Sequence, residues 1–276
     1  MPDNADLPPI VQAIVDRYLE TAHAEAPDLV EGLYLVGSVA LDDFRPNQSD
    51  IDFVAVTTDR PDAAACEALT RVHTRLRTQQ RRPFFDGLYV TWRDLADDPR
   101  GIDPGPNVHE GVLSPDRRGE RHPVTWHLLA QQGICCHGHA VADLTIWRDP
   151  RALAAWTNGN LDSYWRRLLD RGRRLLTPYG LAGLTAWTCA WCVLGVSRLH
   201  YTLATGAITS KTGAGLYARE TFAEPWQRVI EEALRIRRGV DHQSLYRSPL
   251  ARRRDVWAFT HMVIADGHRV YARRAT

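Results

Sequence analysis

The fold of the N-terminal part of the chain follows from two apolar segments, LYLVGS at residues 33–38 and SDIDFVAV at residues 49–56. Each has the length and the aromatic or β-branched composition of a buried strand. Asp50 and Asp52 are two residues apart on the second strand, so their carboxylates point to one face of the sheet. Two carboxylates on one face repel each other unless a cation lies between them. The pair therefore predicts a Mg²⁺ site, because Mg²⁺ prefers oxygen ligands.

The Gly-Ser pair that ends the first segment indicates a phosphate site. Gly37 allows the backbone to come close to a phosphate group, and the hydroxyl of Ser38 can donate a hydrogen bond to it. A glycine turn beside two metal-binding carboxylates is suited to the transfer of a nucleotidyl group from a nucleoside triphosphate.

Charge is divided unevenly along the 276 residues. Residues 1–70 carry 14 Asp and Glu against 3 Lys and Arg, and the remaining 206 residues carry 19 against 31. This asymmetry suits a metal–nucleotide complex bound by both parts, although two domains with oppositely charged surfaces would show it as well. Lys211 is the only lysine in the chain. A bias towards Arg could explain that, but a lone ammonium group is also a common phosphate binder.

The chain is expected to be cytoplasmic. It has no apolar stretch long enough to span a bilayer, and residues 1–4 lack the basic start of a signal peptide. Its five cysteines are an odd number at irregular spacing, which argues against a disulfide framework.

The pattern of apolar residues changes near residue 150. Before it, strands are expected at 33–36, 50–57 and 85–92 between helical segments, and residues 97–121 are expected to form a long loop. After it, only helices are expected, including a mostly apolar one at 181–205 that would form the centre of a bundle. The sequence therefore predicts an α+β protein with an N-terminal domain at 1–150 and an all-α domain at 151–276.

Two motifs carry a resemblance to known proteins. The spacing from Gly37-Ser38 to Asp50-Ile51-Asp52 resembles the signature of the polymerase-β-like nucleotidyltransferases. The stretch RLHYTLATGAITSK at residues 198–211 is similar to the C-terminal helical domain of the streptomycin/spectinomycin-type aminoglycoside adenylyltransferases, in which an Arg-x-x-Tyr helix ends in Thr-Gly before Ile and Lys. Residues 226–233 resemble the next helix of that domain. The motifs occur in the family's order and span most of the chain.

The resemblance implies a polymerase-β-like domain, with a mixed sheet and helices, followed by a helical-bundle domain. It also implies ATP as the donor, Mg²⁺ held by Asp50 and Asp52, and a small-molecule hydroxyl acceptor, an aminoglycoside or aminocyclitol. Transfer at phosphorus requires charge to be neutralised on the phosphate oxygens and on the leaving pyrophosphate. The residues implied to contact the phosphates are Gly37, Ser38, Ser49, Arg198 and Lys211.

The position of the family's general base departs from this pattern. The family has a third carboxylate in a strand motif similar to Leu-Glu-Val-Thr, and the matching stretch here, residues 88–91, has Tyr89 in the Glu position. A tyrosine with a pKa near 10 is a poor base at pH 7. Asp86 is the nearest carboxylate, but three residues' separation puts it on the opposite face from Tyr89, unless a bulge at Gly87 turns it.

The helix expected at 181–205 departs as well. Thr188 aligns with an acidic position of the family, and the whole segment lacks Asp and Glu. A polycationic aminoglycoside needs carboxylates, which would have to come from elsewhere, such as Asp86, Asp94 or the 97–110 segment. Trp187 and Trp191 are four residues apart and therefore lie on one helix face. They could form a platform for a base or sugar, or belong to the bundle core, and the core interpretation is favoured.

The predicted function is Mg²⁺-dependent transfer of AMP from ATP to a hydroxyl of a small molecule. The alternative is a nucleotide-binding protein of the same fold with weak or no transferase activity, which Tyr89 supports, or an enzyme with a non-antibiotic acceptor. The basic segment 237–254 has a single tyrosine, Tyr246, and no recognised nucleic-acid-binding motif, so nucleic acid is not an expected partner.

Overall fold

The computed structural model describes residues 7–239 and 243–275. The acidic start at residues 1–4 and part of the basic segment 237–254 lie outside the described residues. The chain forms two compact units, Met1–Asp149 and Pro150–Thr276. None of the helices in the described ranges has both the length and the apolar character needed to cross a membrane.

The N-terminal unit is an α/β arrangement. The strands of its described residues are β1 (Gly32–Val36), β2 (Ile51–Thr57), β3 (Phe85–Thr91), β4 (Gly105–His109), β5 (Val112–Arg117) and β6 (Ile134–His137). Its α-helices are α1 (Pro9–Glu25), α2 (Gly37–Ala40), α3 (Ala63–Gln79), α4 (Trp92–Ala96) and α5 (Pro123–Gln132).

The strands form one mixed sheet in the order β5-β4-β3-β2-β1-β6. β2 and β3 are parallel because α3 connects them as a crossover, and the other neighbouring pairs are antiparallel. Leu35, Ile51 and Phe53 are fully buried in a core that includes side chains of α1 and α3. Since side chains alternate along a strand, Asp50 and Asp52 point to the other face of the sheet.

The prediction of a long loop at residues 97–121 is wrong, because this segment contains the hairpin β4–β5. Its two-residue turn is formed by Glu110 and Gly111, whose φ angles are 51° and 68°. Two successive positive φ angles are typical of the type I′ turn that matches the twist of a hairpin. Glu is an uncommon residue in that turn, so the sequence does not carry the usual Asn-Gly or Asp-Gly signal.

The C-terminal unit is helical, which together with the mixed sheet confirms the predicted α+β fold. The mostly apolar helix Ala186–Thr205 packs against the three α-helices that follow it. The α-helices of its described residues are α6 (Pro150–Asn160), α7 (Arg167–Gly172), α8 (Pro178–Ala182), α9 (Ala186–Thr205), α10 (Lys211–Thr221), α11 (Gln227–Arg238) and α12 (Pro249–Ala275), with a π-helical turn at Leu161–Arg166 before α7.

The central helix α9 starts later than residue 181, where the sequence places it. The hydroxyl of Thr185 accepts a hydrogen bond from the Thr188 amide at 3.1 Å, which caps the first turn. Gly206, with φ of 78°, ends the helix in the left-handed conformation.

A buried carboxylate ties the C-terminal helices together. Glu232 of α11 is fully buried, and its oxygens lie 2.9 Å from Arg235 Nε and 3.3 Å from Arg252 Nη1. The Ser244 hydroxyl and the Leu245 amide donate to it at 2.6 and 3.1 Å. Burial raises the pKa of Glu232, but the hydrogen bonds from Arg235, Ser244 and Leu245 outweigh burial and lower it to about 2. Glu232 therefore stays ionised in the folded protein over most of the acidic range.

Replacing Glu232 with glutamine is expected to lower the free energy of unfolding at pH 7 by about 3 kcal/mol, because buried guanidinium groups lose their carboxylate. The pKa of the folded state is below the ordinary value of 4.5, so this contribution is present above that value and is lost as the pH falls towards 2. Urea unfolding from pH 7 to pH 3 measures it. Glu231→Gln is the matched control, because Glu231 is 38% exposed and pairs with Arg219 at 3.4 Å. An equal effect of the two substitutions would contradict the prediction.

Candidate active site

Gly37 brings the end of β1 against an aspartate of β2. It has a φ of 63°, and a Cβ atom at this position would lie 1.9 Å from Asp52 Oδ2. Only glycine combines that backbone conformation with the close approach of a carboxylate. The Gly37 turn and Asp52, both selected from the sequence, are therefore neighbours in the structure.

Asp50 lies one residue before β2, and its backbone and side chain have separate surroundings. Its carbonyl oxygen accepts a hydrogen bond from Ser38 Oγ at 3.4 Å. Its carboxylate is 42% exposed, and Oδ1 lies 3.7 Å from Arg82 Nη1, a long ion pair with an exposed arginine. Within the described part of the chain, Oδ1 is a buried atom that accepts no hydrogen bond. A buried anionic oxygen without a hydrogen bond is suited to a cation.

Ser49 shapes the turn that precedes β2. It is buried, and its hydroxyl accepts a hydrogen bond from the Arg45 amide at 3.1 Å. Ser38 therefore contacts the backbone of Asp50, whereas Ser49 contacts the backbone of Arg45. Their predicted contact with phosphates stays a prediction.

A third carboxylate, Asp86, belongs to the same end of the sheet. In the parallel pair β2–β3, Asp86 is directly opposite Asp52, and the register continues without interruption from Ile51 to Thr57. Residues that are directly opposite each other in a sheet present their side chains to the same face. Asp86 therefore shares the face of Asp52, and no bulge at Gly87 is needed to turn it there.

The hairpin turn holds the Asp86 carboxylate. The amides of Glu110 and Gly111 donate to Oδ2 and Oδ1 at 2.8 and 2.9 Å, and His109 Nδ1 lies 3.9 Å from Oδ2. Burial raises the pKa of Asp86, the two backbone hydrogen bonds oppose that rise, and the negative charge of Asp50 adds to it. The net direction is upward. A carboxyl group with a raised pKa is suited to accept a proton near neutral pH.

Tyr89, which the sequence aligns with the family's base, lies on the opposite face of β3. Its hydroxyl is 2.9 Å from that of Tyr18 and 2.8 Å from His73 Nε2, inside the core with α1 and α3. Burial lowers the pKa of His73 to about 3, so the imidazole is neutral there. The placement of Tyr89 at the position of the base is therefore wrong, since Asp86, not Tyr89, shares the face of Asp52.

The described residues contain no group of three or more His, Cys, Asp or Glu side chains that could hold a metal ion alone. An ion at Asp50 and Asp52 would therefore need other ligands. Mg²⁺ commonly binds in this manner, through one or two carboxylates together with substrate phosphates and water. The two aspartates fit such an ion, because one oxygen of Asp50 lacks a hydrogen bond.

The candidate phosphate-binding residues of the C-terminal unit lie on α9 and α10. Lys211 is the first residue of α10, where Ser210 Oγ caps the helix by accepting from the Gly213 amide at 3.0 Å. Its Nζ lies 5.1 Å from the centre of a Trp191 ring, a cation–π contact. Arg198 is a partly buried residue of α9. The phosphate-binding role of both residues stays a prediction.

The preference for Trp187 as a core residue is wrong. Trp187 is 65% exposed and stacks on Trp191, with 5.1 Å between the ring centroids and 13° between the planes. Thr188, the residue next to Trp187, has its hydroxyl directed into the helix start, where it donates to Ala182 O at 2.7 Å. An apolar sequence pattern cannot distinguish a buried tryptophan from an exposed one. It identifies a helix face without showing whether another element covers that face.

Two domain families match the chain. A nucleotidyltransferase domain matches residues 15–89, and the C-terminal domain of aminoglycoside adenylyltransferase matches residues 178–265. None of the curated proteins matches the chain. Among solved structures, the crystal structure of spectinomycin adenyltransferase AAD(9) from Enterococcus faecialis with ATP and spectinomycin has a similar fold. It is 12% identical, with a TM-score of 0.64, and the match covers 91% of this chain and 99% of that one.

Proposed function

We propose that this chain, which is a nucleotidyltransferase resembling the aminoglycoside adenylyltransferases, transfers AMP from ATP to a hydroxyl group of a small molecule with the help of Mg²⁺. The resemblance expected from the two sequence motifs is confirmed by the two domain families. The observation that carries the proposal is the position of Asp50, Asp52 and Asp86 at one end of β2 and β3.

Asp50 and Asp52 are the proposed Mg²⁺ ligands. Bound there, the ion would polarise the α-phosphate and neutralise charge on its oxygens. The turn at Gly37 and Ser38 is proposed to contact the phosphates through backbone and hydroxyl donors, with Ser49 beside it. The close approach of Gly37 to Asp52 supports this role, because any side chain at position 37 would displace Asp52.

Asp86 is the proposed general base. It would accept the proton of the acceptor hydroxyl as that oxygen forms a bond to the α-phosphorus and the bond to pyrophosphate breaks. The amides of Glu110 and Gly111 fix the carboxylate, so its orientation does not depend on the substrate. Arg198 and Lys211 are the proposed partners of the pyrophosphate charge, because a guanidinium and an ammonium group stabilise a leaving phosphate electrostatically.

An aminoglycoside or aminocyclitol is the proposed acceptor class. The C-terminal domain family supports this choice, as does the spectinomycin bound to the structurally similar enzyme. The alternative, a protein that binds nucleotide without transfer, was favoured by Tyr89 in the place of the base. Because Asp86 is proposed as the general base, Tyr89 no longer supports that alternative, and we favour an active enzyme. A non-antibiotic hydroxyl acceptor remains the second candidate, because α9 has no Asp or Glu to bind a polycation.

The test is ATP binding with and without Mg²⁺, followed by pyrophosphate release over a panel of aminoglycosides and aminocyclitols. We expect Mg²⁺-dependent ATP binding and acceptor-dependent release of pyrophosphate. Release only with hydroxyl compounds outside the panel would keep the adenylyltransferase activity and replace the acceptor class. Binding of ATP without release on any acceptor would contradict the proposed function and favour the nucleotide-binding alternative.

A further inference from the structure

We propose that Arg82 couples the binding of the metal ion to the binding of the triphosphate. It would repel a bare divalent cation at Asp50 and donate hydrogen bonds to phosphate oxygens when ion and triphosphate arrive together. This inference rests on the proposed function, since it takes Asp50 as a metal ligand. It involves residues of the N-terminal unit only, and it adds a cation to a site whose other proposed residues in that unit are acidic or uncharged.

Arg82 lies at the candidate metal site because the segment before β3 runs beside the start of β2. The Ile51 amide, one residue after Asp50, donates to the Phe84 carbonyl oxygen at 2.8 Å. The Arg82 guanidinium lies over the Phe84 ring, with its Cζ atom 4.4 Å from the ring centroid. A cation–π contact is attractive, so the ring favours one position of an otherwise exposed side chain.

The ion pair between Arg82 and Asp50 does little for the fold. Arg82 Nη1 and Asp50 Oδ1 are 3.7 Å apart, which is too far for a hydrogen bond, and the arginine side chain is 62% exposed. Exposed ion pairs contribute little to stability. Arg82 can therefore exchange Asp50 for another anion at little cost.

A divalent cation on its own is disfavoured beside this arginine. A Mg²⁺ ion bound to Asp50 Oδ1 would stand near a guanidinium that lies 3.7 Å from the same oxygen. Like charges repel, and the repulsion is twice as large for a doubly charged ion as for a singly charged one. Because an arginine side chain stays protonated in proteins, it cannot remove the repulsion by losing its charge. The bare ion is therefore expected to bind weakly.

The sign of the interaction reverses when the ion arrives with a triphosphate. Mg²⁺ together with ATP or tripolyphosphate carries a net negative charge, which the guanidinium attracts. Arginine binds phosphate oxygens through two parallel N–H donors, and the phosphates supply the ligands that two aspartates alone do not. Asp50 and Arg82 side by side therefore fit a metal–phosphate complex better than they fit a metal ion alone.

The decisive variant is Arg82→Gln, which removes the charge and keeps a polar side chain. Dissociation constants are measured for Mg²⁺-tripolyphosphate and for Mn²⁺ alone, an oxygen-binding substitute for Mg²⁺ that electron paramagnetic resonance detects. We expect the constant for Mn²⁺ to fall about three- to tenfold through the loss of repulsion. We expect the constant for Mg²⁺-tripolyphosphate to rise about tenfold or more through the loss of charge-assisted hydrogen bonds. The melting temperature should stay within about 2 °C of the wild-type value.

Two further variants separate position from geometry. Arg81→Gln is the matched control, because it removes the same charge from the exposed neighbouring arginine. Both constants should then stay within about twofold of the wild-type values. Arg82→Lys keeps a positive charge but lacks the planar pair of donors. It should keep the weak binding of Mn²⁺ and lose part of the affinity for tripolyphosphate.

Opposite changes of the two constants in Arg82→Gln would support the inference, because the loss of a merely structural residue would weaken both kinds of binding. Three results would overturn the inference alone, provided that the wild-type chain binds Mg²⁺-tripolyphosphate. These are an unchanged value of either constant, changes of both in the same direction, and equal effects of Arg81→Gln. A wild-type chain that binds neither Mg²⁺-tripolyphosphate nor ATP would overturn the inference and the proposed function together, so the two failures are distinguishable.

Discussion

Replacing Asp50 with asparagine is expected to reduce pyrophosphate release by about 10³-fold and to abolish the Mg²⁺-dependent part of ATP binding. The substitution removes a negative charge from a position where one buried oxygen accepts no hydrogen bond within the described residues. The shape of the side chain is retained, so the fold should survive. Titration of ATP with and without Mg²⁺, together with steady-state pyrophosphate release, measures both effects.

The control for Asp50→Asn is Asp103→Asn. Asp103 is in the same unit, its side chain is 85% exposed, and it pairs with Arg60 at 3.5 Å. Removing that surface charge should leave turnover within about twofold of the wild-type value, because exposed ion pairs contribute little. If both variants lose activity equally, the loss in Asp50→Asn comes from the change in net charge and not from a specific role of Asp50. If Asp50→Asn binds Mg²⁺-ATP like the wild-type chain, Asp50 is not a metal ligand.

Replacing Asp86 with asparagine is expected to lower kcat by about 10²- to 10⁴-fold, the range that a general base contributes. Mg²⁺-ATP binding should be nearly unchanged, since the proposed ligands of the ion are Asp50 and Asp52. This separation of kcat from nucleotide affinity distinguishes Asp86 from Asp50. Single-turnover pyrophosphate release and equilibrium binding of ATP measure the two quantities on the same protein.

Asparagine at position 86 also places an amide group against the turn amides of Glu110 and Gly111, one of which would lose its acceptor. A thermal melt of the variant reports that structural cost separately. Tyr89→Phe is a useful comparison, because it removes a hydroxyl of the same strand on the opposite face. A large loss of kcat in Tyr89→Phe with a small loss in Asp86→Asn would reverse the assignment of the base.

The parts of the site that depend on nearby residues were predictable from the sequence. Gly37, Asp50 and Asp52 lie within one short strand–helix–strand segment, and the alternation of side chains along a strand is enough to place both carboxylates on one face. The close contact of Gly37 with Asp52 follows from the same segment. The helical character of the C-terminal unit was predictable as well, because its apolar residues recur at helical spacing over long segments.

The parts that depend on distant pairing were not predictable. The position of Asp86 opposite Asp52 is set by the register of two parallel strands joined through α3, and no local pattern specifies that register. Alignment to a family motif favoured Tyr89 instead. The β4–β5 hairpin was missed for a different reason, since its turn uses Glu110 where Asn or Asp is usual. The exposure of Trp187 depends on what packs beside α9, which periodicity does not reveal.

The turn at Glu110 and Gly111 has a consequence for how this protein can change. Neither of its side chains has a proposed role in the reaction. Both of its backbone amides, however, donate hydrogen bonds to Asp86, the carboxylate proposed to accept a proton. A two-residue hairpin turn has one defined backbone geometry. Inserting a single amino acid would change that geometry and move both amide donors away from Asp86. Surface loops ordinarily tolerate such insertions. At this turn, the number of residues is therefore expected to affect the proposed role of Asp86 as the general base.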